Sequence, residues 1–240
     1  MNAAADQSSL GKKPGFEDTA RLLAVLLIAV VLRGVALLIF GDELGHDRDL
    51  YLGIAENLAE GNGFSTPGTT DPTAYRPPLY PLVLAGVMRL GGGTAAIGVL
   101  HLVLSTATVA LTWHLGRTLG LGRGAVWAAG LVAVDPILVQ YTALPMTETL
   151  CTFLVMLLLA VSPERWTARN ASLGVRNPVF GEIGFRAFII GVLFGLCVLC
   201  RPTVWAFGVL AAAWWLAAEG KKPGFEEKAG LPRPARTALR

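Results

Sequence analysis

The stretch RLLAVLLIAVVLRGVALLIF, Arg21 to Phe40, decides what kind of protein this is. It is apolar on every side, and Arg33 is its only interior charge. A helix that is hydrophobic all round cannot present a wet face, and a run of ~20 such residues matches the thickness of a bilayer. The run is too long for the apolar part of a signal peptide and lacks a small-residue cleavage site, so it reads as a retained span.

Further apolar runs follow from Thr94 to Leu115, from Ala125 to Leu144 with an interruption at Asp135-Pro136, and from Thr147 to Val161, which is short. Two more run from Phe185 to Cys200 and from Val204 to Ala218. The composition agrees: 53% of residues are hydrophobic and 15% are charged, against ~25% charged in soluble domains. The expected fold is all-α, a polytopic membrane protein with about six transmembrane helices and interfacial helices in its first loop. A soluble helical protein with greasy core helices rarely carries runs this long.

Orientation follows from the basic residues. With Lys12, Lys13 and Arg21 in the cytoplasm, alternation places Arg117, Arg123, Arg165, Arg169 and Arg176 on that side. Lys221, Lys222, Lys228, Arg233, Arg236 and Arg240 join them. The opposite side receives Arg48, Arg76, Arg89 and Arg201. This is the positive-inside pattern, and it places the loop of residues 41–93 outside. The alternation requires Pro78 to Leu90 to lie at the interface, and that segment is too short to cross. The expected organisation is a cytoplasmic segment 1–20, a membrane domain 21–218 and a disordered cytoplasmic tail 219–240. The expected location is the plasma membrane, multi-pass.

Smaller features carry less. GKKPGFE occurs at Gly11 to Glu17 and again at Gly220 to Glu226, and two copies cannot build a solenoid. Pro-Gly in each copy reads as a turn, and the lysine pairs suit anionic headgroups. Cys151, Cys197 and Cys200 lie in apolar segments and read as buried thiols. His101 and His114 are lone helical histidines that read as structural or partner-bonded. The net charge of +3 is spread over membrane flanks, and no nucleic-acid partner is expected.

The polar stretch from Gly41 to Pro81 holds seven carboxylates against two arginines, so any chemistry is expected to begin there. Asp49 to Glu60 reads as a short amphipathic helix lying on the outer surface, with Leu50, Ile54 and Leu58 on its apolar face and Tyr51 beside them. Asp47 precedes it, where a carboxylate suits the positive end of the helix dipole, and helix capping alone would account for Asp47 or Asp49. Arg76, fixed by Pro77 and Pro78, is suited to a phosphate, or to simple snorkelling. Glu148 and Arg201 fall on the same membrane face in this topology. Ionisable residues at membrane depth are costly and are functional candidates by default.

Taken in order, these elements resemble the GT-C superfamily of membrane glycosyltransferases, in particular the bacterial aminoarabinose transferase and protein O-mannosyltransferase-like members. The resemblance rests on Asp47 to Tyr51 with Ile54-Ala-Glu-Asn-Leu58, on Gly61-Asn-Gly-Phe64, and on Arg76-Pro-Pro-Leu-Tyr-Pro81. Gly116-Arg117, Asp135-Pro136, Thr147-Glu-Thr149 and Arg201-Pro202 follow, and the likeness runs from about residue 20 to 218. It implies sugar transfer from a polyprenyl-phosphate donor to a lipid, glycan or protein acceptor on the extracytoplasmic face. Asp47 would be the general base, Arg76 and Arg201 would hold the leaving phosphate, and Tyr51 and Glu148 would shape the binding site. Where the family often has Asp-Glu, Arg48 follows Asp47 here and Asp42-Glu43 sits five residues earlier. Asp42 and Asp49 therefore stay open as the base beside Asp47. Family members are usually longer, so the chain is expected to match only their N-terminal part.

No metal cluster with ligand spacing is visible, although the acidic loop could take a divalent cation. Two readings from other classes compete. One is a non-catalytic membrane subunit for lipid binding or assembly. The other is a small transporter, against which stands the lack of an inverted repeat.

Overall fold

The computed structural model describes residues 16–162 and 180–219, and these are helical with one isolated β-bridge, Ser65 to Pro72. The chain forms two compact units, residues 1–202 and 203–240. In the first, α1 (Phe16–Phe40) leads through a 3-10 turn, Gly41–Gly45, to α2 (Tyr51–Glu60) and α3 (Leu79–Arg89). Then come α4 (Thr94–Thr118), α5 (Gly124–Val134), α6 (Pro136–Tyr141), α7 (Thr147–Val161) and α8 (Phe180–Cys200). The second unit contributes α9 (Trp205–Glu219). The terminal segments carrying the repeats lie largely outside the described residues, as do Arg165, Arg169 and Arg176.

Contacts fix the direction of each helix in the first unit. Gly98, near the start of α4, lies against Leu44 and Leu37, where a Cβ would come within 3.1 and 3.2 Å of their methyls, respectively. At the far end Arg117 donates to Asp18 at 2.9 Å. α1 and α4 are therefore antiparallel neighbours. The chain between them leaves and returns at the same end, so neither α2 nor α3 runs the length of the pair. Gly116 then lets α5 approach closely, since a Cβ there would sit 2.8 Å from that of Ala125. α5 and α6 climb back to the end where α2 and α3 sit, α7 descends from it, and α8 returns to it.

The rise through α5 and α6 is broken at Asp135-Pro136. Proline has no N–H to donate, so the ladder cannot continue across it. Asp135 Oδ1 instead caps α6, accepting from the amides of Ile137 and Leu138 at 2.9 Å each. The last carbonyls of α5 go to Arg33, whose Nη1 donates to Ala133 O at 2.8 Å and Nη2 to Val132 O at 3.1 Å. A helix C-terminus is the negative end of its dipole, so a guanidinium there is favourable.

Small residues let the helices touch. Ala29, Ala129 and Ala133 are fully buried with Val109, and Trp113 packs against them. This is the interface chemistry of helices in lipid, where close backbone approach replaces hydrophobic driving force. Outward positions are apolar too: Leu38 is 88% exposed, and Leu27, Val99, Leu131 and Phe188 are also uncovered. Two helical segments, Glu17–Gly45 and Thr94–Thr118, are long and apolar enough to cross a membrane. The other apolar helices are shorter, and α5 is divided from α6 by the break.

Candidate functional site

The site begins at the turn into α2. Leu50 has φ 63°, the left-handed region, and is the only described non-glycine residue with positive φ. That conformation swings the Asp47 carboxylate over the first turn of the helix. Oδ1 accepts from Leu52 N–H at 3.0 Å and Oδ2 from Gly53 N–H at 2.8 Å, so both oxygens are held by amides that have no partner inside the helix. Gly53 permits this packing, because a Cβ there would meet Pro67 Cβ at 2.5 Å. Asp47 is thus a helix cap. Each of its oxygens keeps further accepting capacity.

Asp49 has a different partner. Arg76 Nη2 forms an ion pair with its carboxylate, and Arg76 Nε donates to its backbone oxygen at 2.7 Å. The guanidinium also lies 5.2 Å from the Tyr51 ring and 4.6 Å from the Tyr75 ring, within cation–π range of both. The prolines after it hold this arm beside α2. Its Nη1 has no hydrogen bond to a described residue, so one edge of the fork remains available.

Glu148 and Arg201 form the second ion pair, Oε1 to Nη1 at 2.8 Å, joining the start of α7 to the end of α8. Burial works to lower the Arg201 pKa, and the neighbouring Glu148 carboxylate more than offsets it, so the group is held above its ordinary value. The Arg201 side chain is 45% exposed. Tyr51 links the two pairs: its hydroxyl reaches the Thr147 side chain and feels the charges of Arg76, Asp49 and Glu148. Burial raises the Tyr51 pKa, with Arg76 opposing.

Beneath Tyr51 runs a buried polar column. Its ring meets Tyr80 edge-on at 5.3 Å, and Tyr80 Oη lies 2.9 Å from His101 Nε2. His101 Nδ1 is 3.1 Å from the carbonyl of Thr142, which can only accept. Nδ1 therefore carries the proton, and Nε2 accepts from the tyrosine O–H. Burial pushes the Tyr80 pKa well up. The column ties α2 through α3 and α4 to the loop after α6. His101 is thereby partner-bonded, while His114 is exposed.

Asp47, Asp49, Tyr51, Arg76, Glu148 and Arg201 all gather at this end of the bundle. Asp42, exposed on the 3-10 turn at the same end, shares no hydrogen bond with them among the described residues. Two expectations change in detail. Leu50 is exposed on the turn instead of lying on the apolar face of α2. That face, with Tyr51, Ile54 and Ala55, is buried and packs on α3. Arg89 fastens the other end of α2 by donating to Leu58 O at 2.8 Å and Ala59 O at 3.2 Å.

Asn57, which the sequence places in the Ile54 to Leu58 motif without a role, donates from its carboxamide to Ser65 Oγ at 2.8 Å, Thr66 O at 2.9 Å and Thr69 O at 3.0 Å. It shapes the loop ahead of Arg76. The available signal was a polar residue on the inner face of α2, flanked by apolar ones. Tyr80 and Thr147 stand inside motifs the sequence offers but carry no role there, because pairing across helices leaves no local spacing to read. Among the described residues no group of three or more His, Cys, Asp or Glu side chains could hold a metal ion. The three cysteines are buried and unbridged. Comparison with family models, with curated proteins and with solved structures returns no match.

Proposed function

We propose that the chain is a membrane glycosyltransferase, or the N-terminal part of one, that moves a sugar from a polyprenyl-phosphate donor to an acceptor hydroxyl on the extracytoplasmic face. The observation that carries this reading is the pair of arginine–carboxylate ion pairs, Arg76–Asp49 and Arg201–Glu148, linked through Tyr51, with the amide-held carboxylate of Asp47 at the same end of an apolar bundle. A leaving lipid phosphate develops negative charge, and fixed guanidinium groups stabilise it. Asp47, already anchored by two amides, takes the proton from the acceptor hydroxyl. Asp49 and Glu148 hold Arg76 and Arg201 in place, and Tyr51 lies beside Arg76 with its hydroxyl on Thr147, next to Glu148. Asp42, exposed on the neighbouring 3-10 turn, is the alternative base.

On the same reading six helices cross the plasma membrane, with α5 and α6 together forming the third span. The antiparallel return of α4 beside α1 supports a non-crossing loop, and the lipid-compatible outer surface supports the membrane setting. The site then faces outward, with the acceptor approaching from the wet side and the donor from the bilayer.

The test is transfer from a radiolabelled polyprenyl-phosphate sugar in proteoliposomes, with donor binding measured separately. Asp47→Asn should lower turnover by about 10²–10⁴, because the amide cannot accept the proton; it also gives up one of the two bonds to Leu52 and Gly53, so a donor affinity that stays unchanged is what separates lost chemistry from a loosened turn. Arg76→Ala should weaken donor binding by about 1.5–3 kcal/mol, and Arg201→Ala likewise if both reach one phosphate. Full activity in Asp47→Asn would remove it as base. Lack of donor binding by the unmutated protein would sink the reading.

A further inference from the structure

A second polar feature lies inside the bundle, away from the candidate site. Arg33 is 1% exposed, and its hydrogen bonds all go to backbone carbonyls, those of Ala29, Ala133 and Val132. Its Nε has no partner. A buried donor left without one is costly, and more so on a charged group in an apolar setting. Arg33 lines a small cavity at the break between α5 and α6, together with Ser105, Thr108, Leu138, Thr149 and Thr152. The space inside is about 10 Å³, close to that of one water molecule.

The hydroxyls decide what fits. Ser105 donates to Leu102 O at 3.2 Å and Thr108 to Leu104 O at 2.9 Å. Thr149 donates to Tyr141 O at 3.0 Å and Thr152 to Glu148 O at 2.7 Å. Every hydroxyl proton is thus spent on a carbonyl, and what remains is lone pairs from the hydroxyl oxygens and, on Arg33, the Nε–H and one N–H of Nη2. An anion needs several donors and finds at most two, beside four hydroxyl oxygens whose lone pairs oppose it. A cation is repelled by the guanidinium. A water accepts from Arg33 Nε and donates to two hydroxyl oxygens, the ~3 bonds typical of a buried water.

We propose that this cavity is the binding site of a single structural water, held between Arg33 Nε and the hydroxyl oxygens of α4 and α7. The water completes the solvation of a guanidinium that also caps α5, and so keeps the α5–α6 break wet inside an apolar bundle. The inference is independent of the glycosyl-transfer reading.

A high-resolution structure of the full chain in lipid, grown or soaked in sodium bromide, tests it. The expected result is one ordered peak ~3 Å from Arg33 Nε with no anomalous bromide signal. A bromide peak there would make the site an anion site, and no peak at all would make the cavity a packing void; either result overturns the proposal. Arg33→Met removes the donor but risks the fold, so a second variant is needed. Thr108→Leu fills the space. If a water is held there, Thr108→Leu should lose the peak and lower the melting temperature. A raised melting temperature in Thr108→Leu would mark the cavity as a void.

Discussion

Tyr51 and Tyr80 are where the chemistry of single residues is most exposed to test. Both hydroxyls are pushed above the ordinary tyrosine range by burial. A raised phenol pKa means that the native state keeps the proton while the unfolded chain loses it. The contribution to stability is full below pH ~10 and is lost as pH climbs above it. A tyrosinate absorbance titration should therefore show Tyr51 and Tyr80 ionising late, with alkaline unfolding. In Tyr80→Phe the late fraction should shrink by one residue, and removing the O–H should cost about 1–3 kcal/mol because His101 Nε2 is left buried and unpaired. An unchanged melting temperature in Tyr80→Phe would show that the column does not hold the site. Gly53→Ala is the companion test on the Asp47 side. A methyl there overlaps Pro67, so the variant should lose about 1–3 kcal/mol and detach the residue 62–72 loop from α2. Protection of the Gly53 amide, read by hydrogen exchange, would fall with it.

At the level of elements, the helix ends were legible wherever apolar runs meet polar punctuation. α4 begins at Thr94, and α7 spans Thr147 to Val161, as the hydropathy pattern predicts. The short α3 before Gly91 was legible from its length and its prolines. The pairing of elements was not legible. Nothing near Arg33 in the chain points to Ala133, and nothing near Tyr80 points to His101. Such bonds join residues that only topology brings together, and a local pattern holds no record of them. The same holds for the candidate site: its charged residues were found because charge is rare in greasy surroundings, whereas which carboxylate serves which arginine came from geometry alone. The α5–α6 break is an element-scale device with its own test. Asp135→Ala removes the cap from α6, and the expected loss is about 0.5–2 kcal/mol. Asp135→Asn, which keeps an accepting oxygen, should lose less. Equal losses would place the role of Asp135 in its charge toward Arg33 instead of in the cap.

For the whole molecule, the antiparallel pairing of α1 with α4 turns topology into a measurable quantity. With all three native cysteines replaced, Thr70→Cys and Leu121→Cys place single thiols on exposed positions at opposite ends of that pair. An impermeant reagent should label Thr70→Cys from outside intact cells and reach Leu121→Cys only after lysis. Ser65 would be a poor choice of label, because its side chain is buried against Asn57. Labelling of both thiols from one side would overturn the six-span reading and the outward site together.

The carbonyl that Arg33 holds belongs to Ala133, one hundred residues further along the chain. A ribosome makes the first segment long before it makes that acceptor, so during synthesis the guanidinium waits in the nascent chain without its lasting partner. On the proposed topology the first helix inserts with a charge at its centre, which costs about 2.5–3.5 kcal/mol on translocon scales and which the surrounding leucines and valines would have to outweigh alone. Arg33→Leu should therefore improve insertion of a nascent fragment ending near Leu121, yet weaken the finished bundle. One residue is a burden early in the life of the chain and a fastening later, and the order of synthesis decides when it changes from one to the other.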